Sequence, residues 1–356
     1  EFMAATLNSF LGNLDKIPQY IDECKALGIE ILKPEINKSD SKFTTEDGKV
    51  RFGLGSIKKQ KLLEFYKIPR KIYEAKQEDL LKIPKISVKD VENILNRNIK
   101  NEVFMHIEYM KKNNIDILTI EDENYPQSLK LIYDMPISLY IKGNKEILND
   151  KSIAIIGCRD ATEYGKKACK YFSYNLSKKG INIISGLARG IDSYAHLGNI
   201  IATEEEIYLK REKLDKKVID KQFIKKLNVK TNADFCGKTI AVVGNGLDSI
   251  YPKENKELEE KIIKSGGAII SEYPLGSKPE KMNFPARNRI ISGMSKGVLV
   301  IEAKEKSGTL ITVDYALEQG KDVYVIPGNI NSITSVGTNS LIKQGAKMVT
   351  RYEEIE

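Results

Sequence analysis

The chain has little to build a metal or disulfide centre with. Its four cysteines, Cys24, Cys158, Cys169 and Cys236, form no CxxC pair, and its two histidines, His106 and His196, lie far apart. That spacing argues against a zinc site, and a disulfide framework is not expected in a chain of 356 residues. No apolar run reaches 18 residues and no secretory signal opens the chain, so no membrane span is expected and the protein reads as cytoplasmic. There is no GxxxxGK[ST] phosphate loop and no Ser/His/Asp set at recognisable spacing. The stretch "GNGLDS" holds two of the three glycines of the dinucleotide fingerprint, which argues against hydride transfer. Neither a catalytic set nor a cofactor is expected.

What the chain does have is the balance of a globular protein: 41% hydrophobic residues, 30% charged, and a formal net charge of +8. The basic excess permits a polyanionic partner. From residue 151 to 350, short β-branched runs alternate with helical patterns. "SIAIIG", "INIISG", "TIAVVG", "GAIISE", "GVLVIEA" and "DVYVIPG" are apolar throughout, as parallel strands covered on both faces must be. Helical patterns such as "YGKKACKYFSYNLSKKG" and "TLITVDYALEQGK" lie between them. The expected class is α/β, with a doubly wound, mostly parallel sheet and a small N-terminal helical domain. Three domains are expected: 1–57; a helix-hairpin-helix-like unit at 58–118; and the sheet domain at 119–350, interrupted by a charged, mostly helical insert at 200–236. The hairpin turn reads "KIPKIS", without the Gly that close approach to a DNA backbone favours, so a structural role is expected there. In 1–57, a helix "LDKIPQYIDECKALG" precedes a hairpin around "EDGK". The opening "EFMAATLNSF" reads as a helix entered midway, as in a fragment.

Ligands of open parallel sheets bind beyond the carboxyl ends of the strands. Here those ends carry Gly157 and Arg159, then Ser185 and Gly186, then "GNGLDSIYPKEN", then "SEYPLGSKPEKMNFPARNR", then Ser307, Gly308 and Thr309. Glycines and helix starts of this kind suit phosphate groups. In "NFPARNRIISGMS" (283–295), Pro285 fits a first helical turn. Phe284 has two readings: a staple against a later apolar side chain, or, with Lys281 nearby, a cation-flanked flat face for a base. Arg287 and Arg289 lie about 200° apart around a helix, so one can face a phosphate while the other pairs with an internal carboxylate such as Asp192 or Glu302.

Taken together, "GCRDATEYG", "SGLARGIDSYAH", "GKTIAVVGNGLDSIYPKEN", "SEYPLGSKPEKMNFPARNRIISGMS", "VLVIEAKEKSGTLITVDYALEQGKDVYVIPGN" and "SVGTNSLIKQGAK" resemble the DNA-processing protein A family (DprA, also called Smf) over about residues 60–350. The resemblance implies an extended Rossmann-like domain that binds single-stranded DNA without catalysis. It implies protection of incoming DNA in natural transformation, loading of the recombinase RecA, and a homodimer. The family's pocket maps onto Arg159, Lys281, Phe284, Arg287 and Arg289. With the rim residues Gly157, Ser185, Gly186, Asn288, Ser307, Gly308 and Thr309, these form the expected DNA-contacting set. Cys158 stands where the family usually has Ser, which removes a hydroxyl donor. The insert at 200–236 departs from the family pattern, and the winged-helix tail of some members is not expected from this sequence. Residues 1–57 resemble instead a piece of a bacterial DNA polymerase III alpha subunit without its aspartate cluster, as at a fusion or assembly junction. The alternative function is a nucleotide-binding or nucleotide-cleaving Rossmann-like protein, but "KSGTLITVD" lacks the catalytic Glu that the cleaving enzymes carry there.

Overall fold

The computed structural model describes residues 31–32, 44–46, 49–51, 62, 65–67, 69–84, 86–96, 100–217 and 236–355. Near the N-terminus, β1 (Ile31–Leu32), β2 (Thr44–Glu46) and β3 (Lys49–Arg51) form a small sheet in the order β1-β3-β2. β2 and β3 pair antiparallel with Glu46 opposite Lys49, the hairpin expected around "EDGK". The helix expected over 14–28 lies outside the described residues.

Among the described residues, the helices α1 (Pro69–Glu74), α2 (Gln77–Leu81), α3 (Val88–Leu95) and α4 (Lys100–Lys112) follow. Ser87 starts α3 with a capping box, its hydroxyl accepting from the Asp90 N–H at 3.2 Å while the Asp90 carboxylate accepts from the Ser87 N–H at 2.8 Å. Leu80, Ile83, Ile86 and Val91 make a small core of their own. Ile83 and Ile86 of the hairpin turn therefore point inward and hold α2 to α3.

The main sheet has nine strands. They are β4 (Ile115–Thr119), β5 (Ser138–Gly143), β6 (Ser152–Ile156), β7 (Asn182–Ser185), β8 (Thr239–Val243), β9 (Ala268–Ser271), β10 (Gly297–Val300), β11 (Asp322–Val325) and β12 (Lys347–Met348). Their order is β12-β11-β10-β6-β7-β8-β9-β5-β4. The parallel part of the sheet starts at central β6, winds outward through β7, β8 and β9, then crosses back to β10 on the other side of β6. All six fully apolar runs are parallel strands, as their two-sided burial requires. β4 and β5 add antiparallel pairs beside β9.

Helices α5 (Glu163–Lys178), α6 (Ile191–Lys217), α7 (Lys256–Lys264), α8 (Asn283–Met294), α9 (Gly308–Glu318) and α10 (Val336–Lys343) flank this sheet. Alternate residues of each strand serve opposite faces. Ile153, Ile155, Ile183 and Leu299 pack on Phe172 and Leu176 of α5 and Ile191 and Ala195 of α6. Ala154, Ile156, Val298 and Val300 pack on Ile290, Ile291 and Met294 of α8 and Val313 and Ala316 of α9. α6 continues unbroken through Lys217, so the first part of the expected insert extends the preceding helix; residues 218–235 lie outside the described residues.

Candidate nucleic-acid interface

The loops after β6 and β10 leave the sheet in opposite directions, and a cleft of about 750 Å³ opens between them, where a doubly wound sheet places its ligands. Arg159, Lys281, Phe284, Arg287, Asn288, Ser307, Gly308 and Thr309 line it. A smaller recess of about 50 Å³ is lined by Arg159, Gly186, Arg287 and Phe284 together with Arg189, Tyr251 and Pro252.

Arg159 is held in place by backbone fit. The Cys158 N–H donates to the Glu302 carbonyl at 2.9 Å, and the Ile191 N–H donates to the Cys158 carbonyl at 3.1 Å. Gly190, at φ +73°, lies so close that an added Cβ would sit 2.3 Å from the carbonyl oxygens of Cys158 and Arg159. The loop that contains Gly190 is itself strained: Leu187 sits at φ 56°, a left-handed conformation costly for a branched side chain. Asn255 anchors it, its Nδ2 donating to the Leu187 carbonyl at 2.8 Å and to Ser193 Oγ at 3.1 Å. The Cys158 thiol is buried, and burial pushes its pKa up.

Helix α8 supplies the centre of the cleft. Pro285 lies in its first turn, and Asn283 ties that turn to the sheet by donating to the Gly244 carbonyl at 3.0 Å. Phe284 is half-buried, its ring centroid 5.3 Å from that of Tyr251 and 5.8 Å from the Arg159 guanidinium carbon. The ring thus faces the cleft in cationic company.

The two arginines divide, though not as expected. Arg289 pairs with Glu272 at 2.8 and 2.7 Å, donates to the Asp134 carbonyl at 2.7 Å, and lies 3.3 Å from the Asp134 carboxylate. Burial works against its charge, but the two carboxylates more than offset that and raise its pKa. Its partners are Glu272 and Asp134, where sequence reasoning offered Asp192 or Glu302. Those two serve elsewhere. Glu302 accepts from the Thr162 N–H at 2.9 Å and from the hydroxyls of Thr162 and Thr334 at 2.6 and 2.9 Å. Asp192 is buried, which raises its pKa against the pull of Arg287. Arg287 lines both cavities and donates to the carbonyls of Gly186, at 2.8 Å, and Val242; its Nε has no partner. Burial lowers its pKa to about 10, with Asp192 opposing. It is a buried cation at the cleft floor with donor capacity to spare. Gly186 makes room for it, since a Cβ there would lie 2.5 Å from the Asp192 carboxylate and 2.7 Å from Arg287 Nη1.

The rim is completed by α9. Ser307 caps it, its Oγ accepting from the Thr309 N–H at 3.2 Å, and Asn288 Nδ2 lies 3.5 Å from the Gly308 carbonyl. Ser185 is absent from the residues lining either cavity: its hydroxyl donates into the sheet, to the Ile155 carbonyl at 2.7 Å. Sequence reasoning passed over Arg189, Tyr251, Lys304 and Lys306, all of which line one or both cavities. Their signal was their place in loops after strands, in "LARG", "IYPK" and "EAKEK".

A family model described as DNA recombination-mediator protein A matches residues 116–209 and 227–356, leaving out part of the charged stretch after α6. A helix-hairpin-helix model matches residues 28–102. Protein Smf of Escherichia coli is 38% identical over 247 residues, 69% of this chain; the chain spans 57% of that relative's length. The X-ray structure of DNA processing protein A from Streptococcus pneumoniae is 34% identical, with a TM-score of 0.61 over 85% of this chain and 93% of that one. A structure of Helicobacter pylori DNA processing protein A, described for its single-stranded DNA binding mode, is 28% identical, with a TM-score of 0.52 over 67% of this chain and 93% of that one. A 59-residue stretch is 52% identical to DNA polymerase III subunit alpha of Neisseria meningitidis, covering 16% of this chain and 5% of that protein. Sheet, cleft and family match coincide, and the chain belongs to the DNA recombination-mediator protein A family, whose role is DNA processing in recombination.

Proposed function

We propose that this chain binds single-stranded DNA in the cleft beyond β6 and β10, protects it, loads RecA onto it, and does so as a homodimer without catalysing a reaction. One observation supports this reading most: Arg159, Lys281 and Arg287 share a single cleft with the Phe284 ring and the start of α9. Cations serve the phosphates and a flat apolar face serves an unpaired base. Duplex bases are already stacked on one another and have no free face to offer. Within the expected set, Arg289 and Ser185 act by holding the site together, and the cleft-lining members make the contacts.

The test is an oligo-dT titration across salt concentrations. Binding should weaken with salt, each neutralised phosphate adding about 0.7 to the slope, and duplex of equal length should bind more weakly. Arg159→Ala and Lys281→Ala should lower both affinity and slope. Phe284→Ala should lower affinity by about 1–3 kcal/mol and leave the slope alone. A flat salt response or equal duplex affinity would overturn the reading. AMP that displaces oligo-dT would favour the nucleotide-binding alternative. RecA loading is tested by whether the protein lets RecA filaments form on strands already coated with a single-strand-binding protein, and dimerisation by light scattering.

A further inference from the structure

Phe284 is the aromatic residue that the sequence points to, and its half-buried ring is covered on part of its surface. One edge lies against Gly244, where an added Cβ would sit 3.2 Å from a ring carbon, and the Arg159 guanidinium stands over it. The Tyr251 ring is tilted 33° to it at 5.3 Å. That separation is direct aromatic contact, so no base can lie between the two rings.

Tyr251 is the more open of the two rings. It is 41% exposed and lines both the small recess and the larger cleft. It is also held in place. Pro252 beside it is buried, and Asn255, three residues further on, bonds across to the Leu187 carbonyl and Ser193. Arg159 and Arg189 share the recess with it. An open ring, backed by a second ring and flanked by guanidinium groups, is a stacking platform for a base whose phosphates sit on those cations.

We propose that Tyr251 is a base-stacking residue of the single-strand site: an unpaired base lies on its open face, and Phe284 backs the ring from behind. The proposal rests on the function proposed above and adds a second ring, beside Phe284, on which a base is held.

The chain contains no tryptophan, so Tyr251→Trp places one indole at the site. Oligo-dT should quench its emission, with the same midpoint as the anisotropy of a labelled strand. An abasic strand of equal length, which keeps the phosphates, should leave emission unchanged. Tyr251→Ala should lower oligo-dT affinity about 5- to 150-fold with the salt slope unchanged, and Tyr251→Phe, which keeps an aromatic face, should lose much less than Tyr251→Ala. Melting temperatures of the three variants confirm that each is folded. Saturable binding without an emission change, or wild-type affinity in folded Tyr251→Ala, would overturn the proposal. If the unaltered protein fails to bind oligo-dT at all, the broader function falls with it; that measurement comes first and separates the two failures.

Discussion

Two arginines on helix α8, two residues apart, occupy opposite kinds of surroundings. Arg289 is enclosed by carboxylates: Glu272 takes two of its hydrogen bonds and Asp134 stands beside it. Around Arg287 the partners are backbone carbonyls, a buried carboxyl whose own pKa is raised, and the open cleft. The first arrangement is a joint, fastening α8 to the segments before β5 and after β9. The second leaves charge unspent where a ligand can reach it. Both residues are equally buried, at 5% exposure, so neither burial nor residue type tells a joint from a binding floor. The carboxylates around each do.

Removing the joint gives the largest expected effect. Arg289→Ala leaves Glu272 and Asp134 without their cation in a mostly buried setting, and breaking such a pair typically costs about 3–5 kcal/mol. Denaturant unfolding should show this loss, while oligo-dT affinity of the folded fraction stays near wild type. Arg287→Gln should do the reverse, lowering affinity and salt slope with a smaller change in stability. If both variants lose affinity equally once folded, the division between joint and floor is wrong.

The same helix that carries Asp192 at the cleft floor carries His196 one turn deeper, and there the comparison extends to pH. His196 Nδ1 lies 2.6 Å from Thr239 Oγ1, whose own hydroxyl donates to the Ile183 carbonyl at 3.0 Å. The histidine is therefore the donor, and its Nε2 has no partner. Burial first, and the Arg287 charge second, lower its pKa from 6.5 to about 3. In the pH range below 6.5, the unfolded chain takes up a proton that the folded one refuses, so stability is complete above that value and falls on acidification. Between about pH 6.5 and about pH 5 this group alone should remove about 2 kcal/mol. His196→Gln should lose less over that range. Asp192, raised by burial, acts in the opposite direction and is common to both proteins. Equal acid sensitivity in the two would show that the imidazole is not the sensor.

The sheet was legible because its six central parallel strands are covered on both faces, so their inner positions are apolar and polar residues such as Asn182, Ser185 and Asp322 fall at their ends. β4 and β5 escaped notice for the complementary reason: they lie at or next to the sheet edge and are only partly buried, β5 in alternation. Leu139 and Ile141 are buried, while Tyr140 and Lys142 are half-covered, and such short alternations do not stand out. At the site, positions in loops after strands were readable, and so was the choice of one arginine for an internal carboxylate. Which carboxylate was not, because Glu272 and Asp134 meet Arg289 only once the crossover lays α8 over the sheet. Tyr251 was missed because one aromatic in a loop carries no pattern; its meaning depends on standing 5.3 Å from Phe284.

The smallest expected effect sharpens the comparison at the mouth of the recess, where a third arginine combines features of the other two. Arg189 donates through Nε and Nη2 to the two carboxylate oxygens of Glu254, the latter bond at 3.0 Å, and that pairing holds the carboxyl below its usual range. This resembles the Arg289 joint, yet both side chains are more than half exposed, and an exposed pair adds little to stability. An exchangeable pair beside a phosphate site acts as a competitor: Glu254 holds the cation that a phosphate would otherwise take. Glu254→Gln should leave the melting temperature nearly unchanged and raise oligo-dT affinity by up to about fivefold, in keeping with the small worth of such pairs. If the freed Arg189 takes up a phosphate, the salt slope should also grow by about 0.7. Acidifying wild-type protein far enough to protonate Glu254 should move affinity in the same direction, and that shift should be missing in Glu254→Gln. If Glu254→Gln instead melts lower and binds no better, Arg189 belongs with Arg289 as a joint, and the floor of the cleft ends at Arg287.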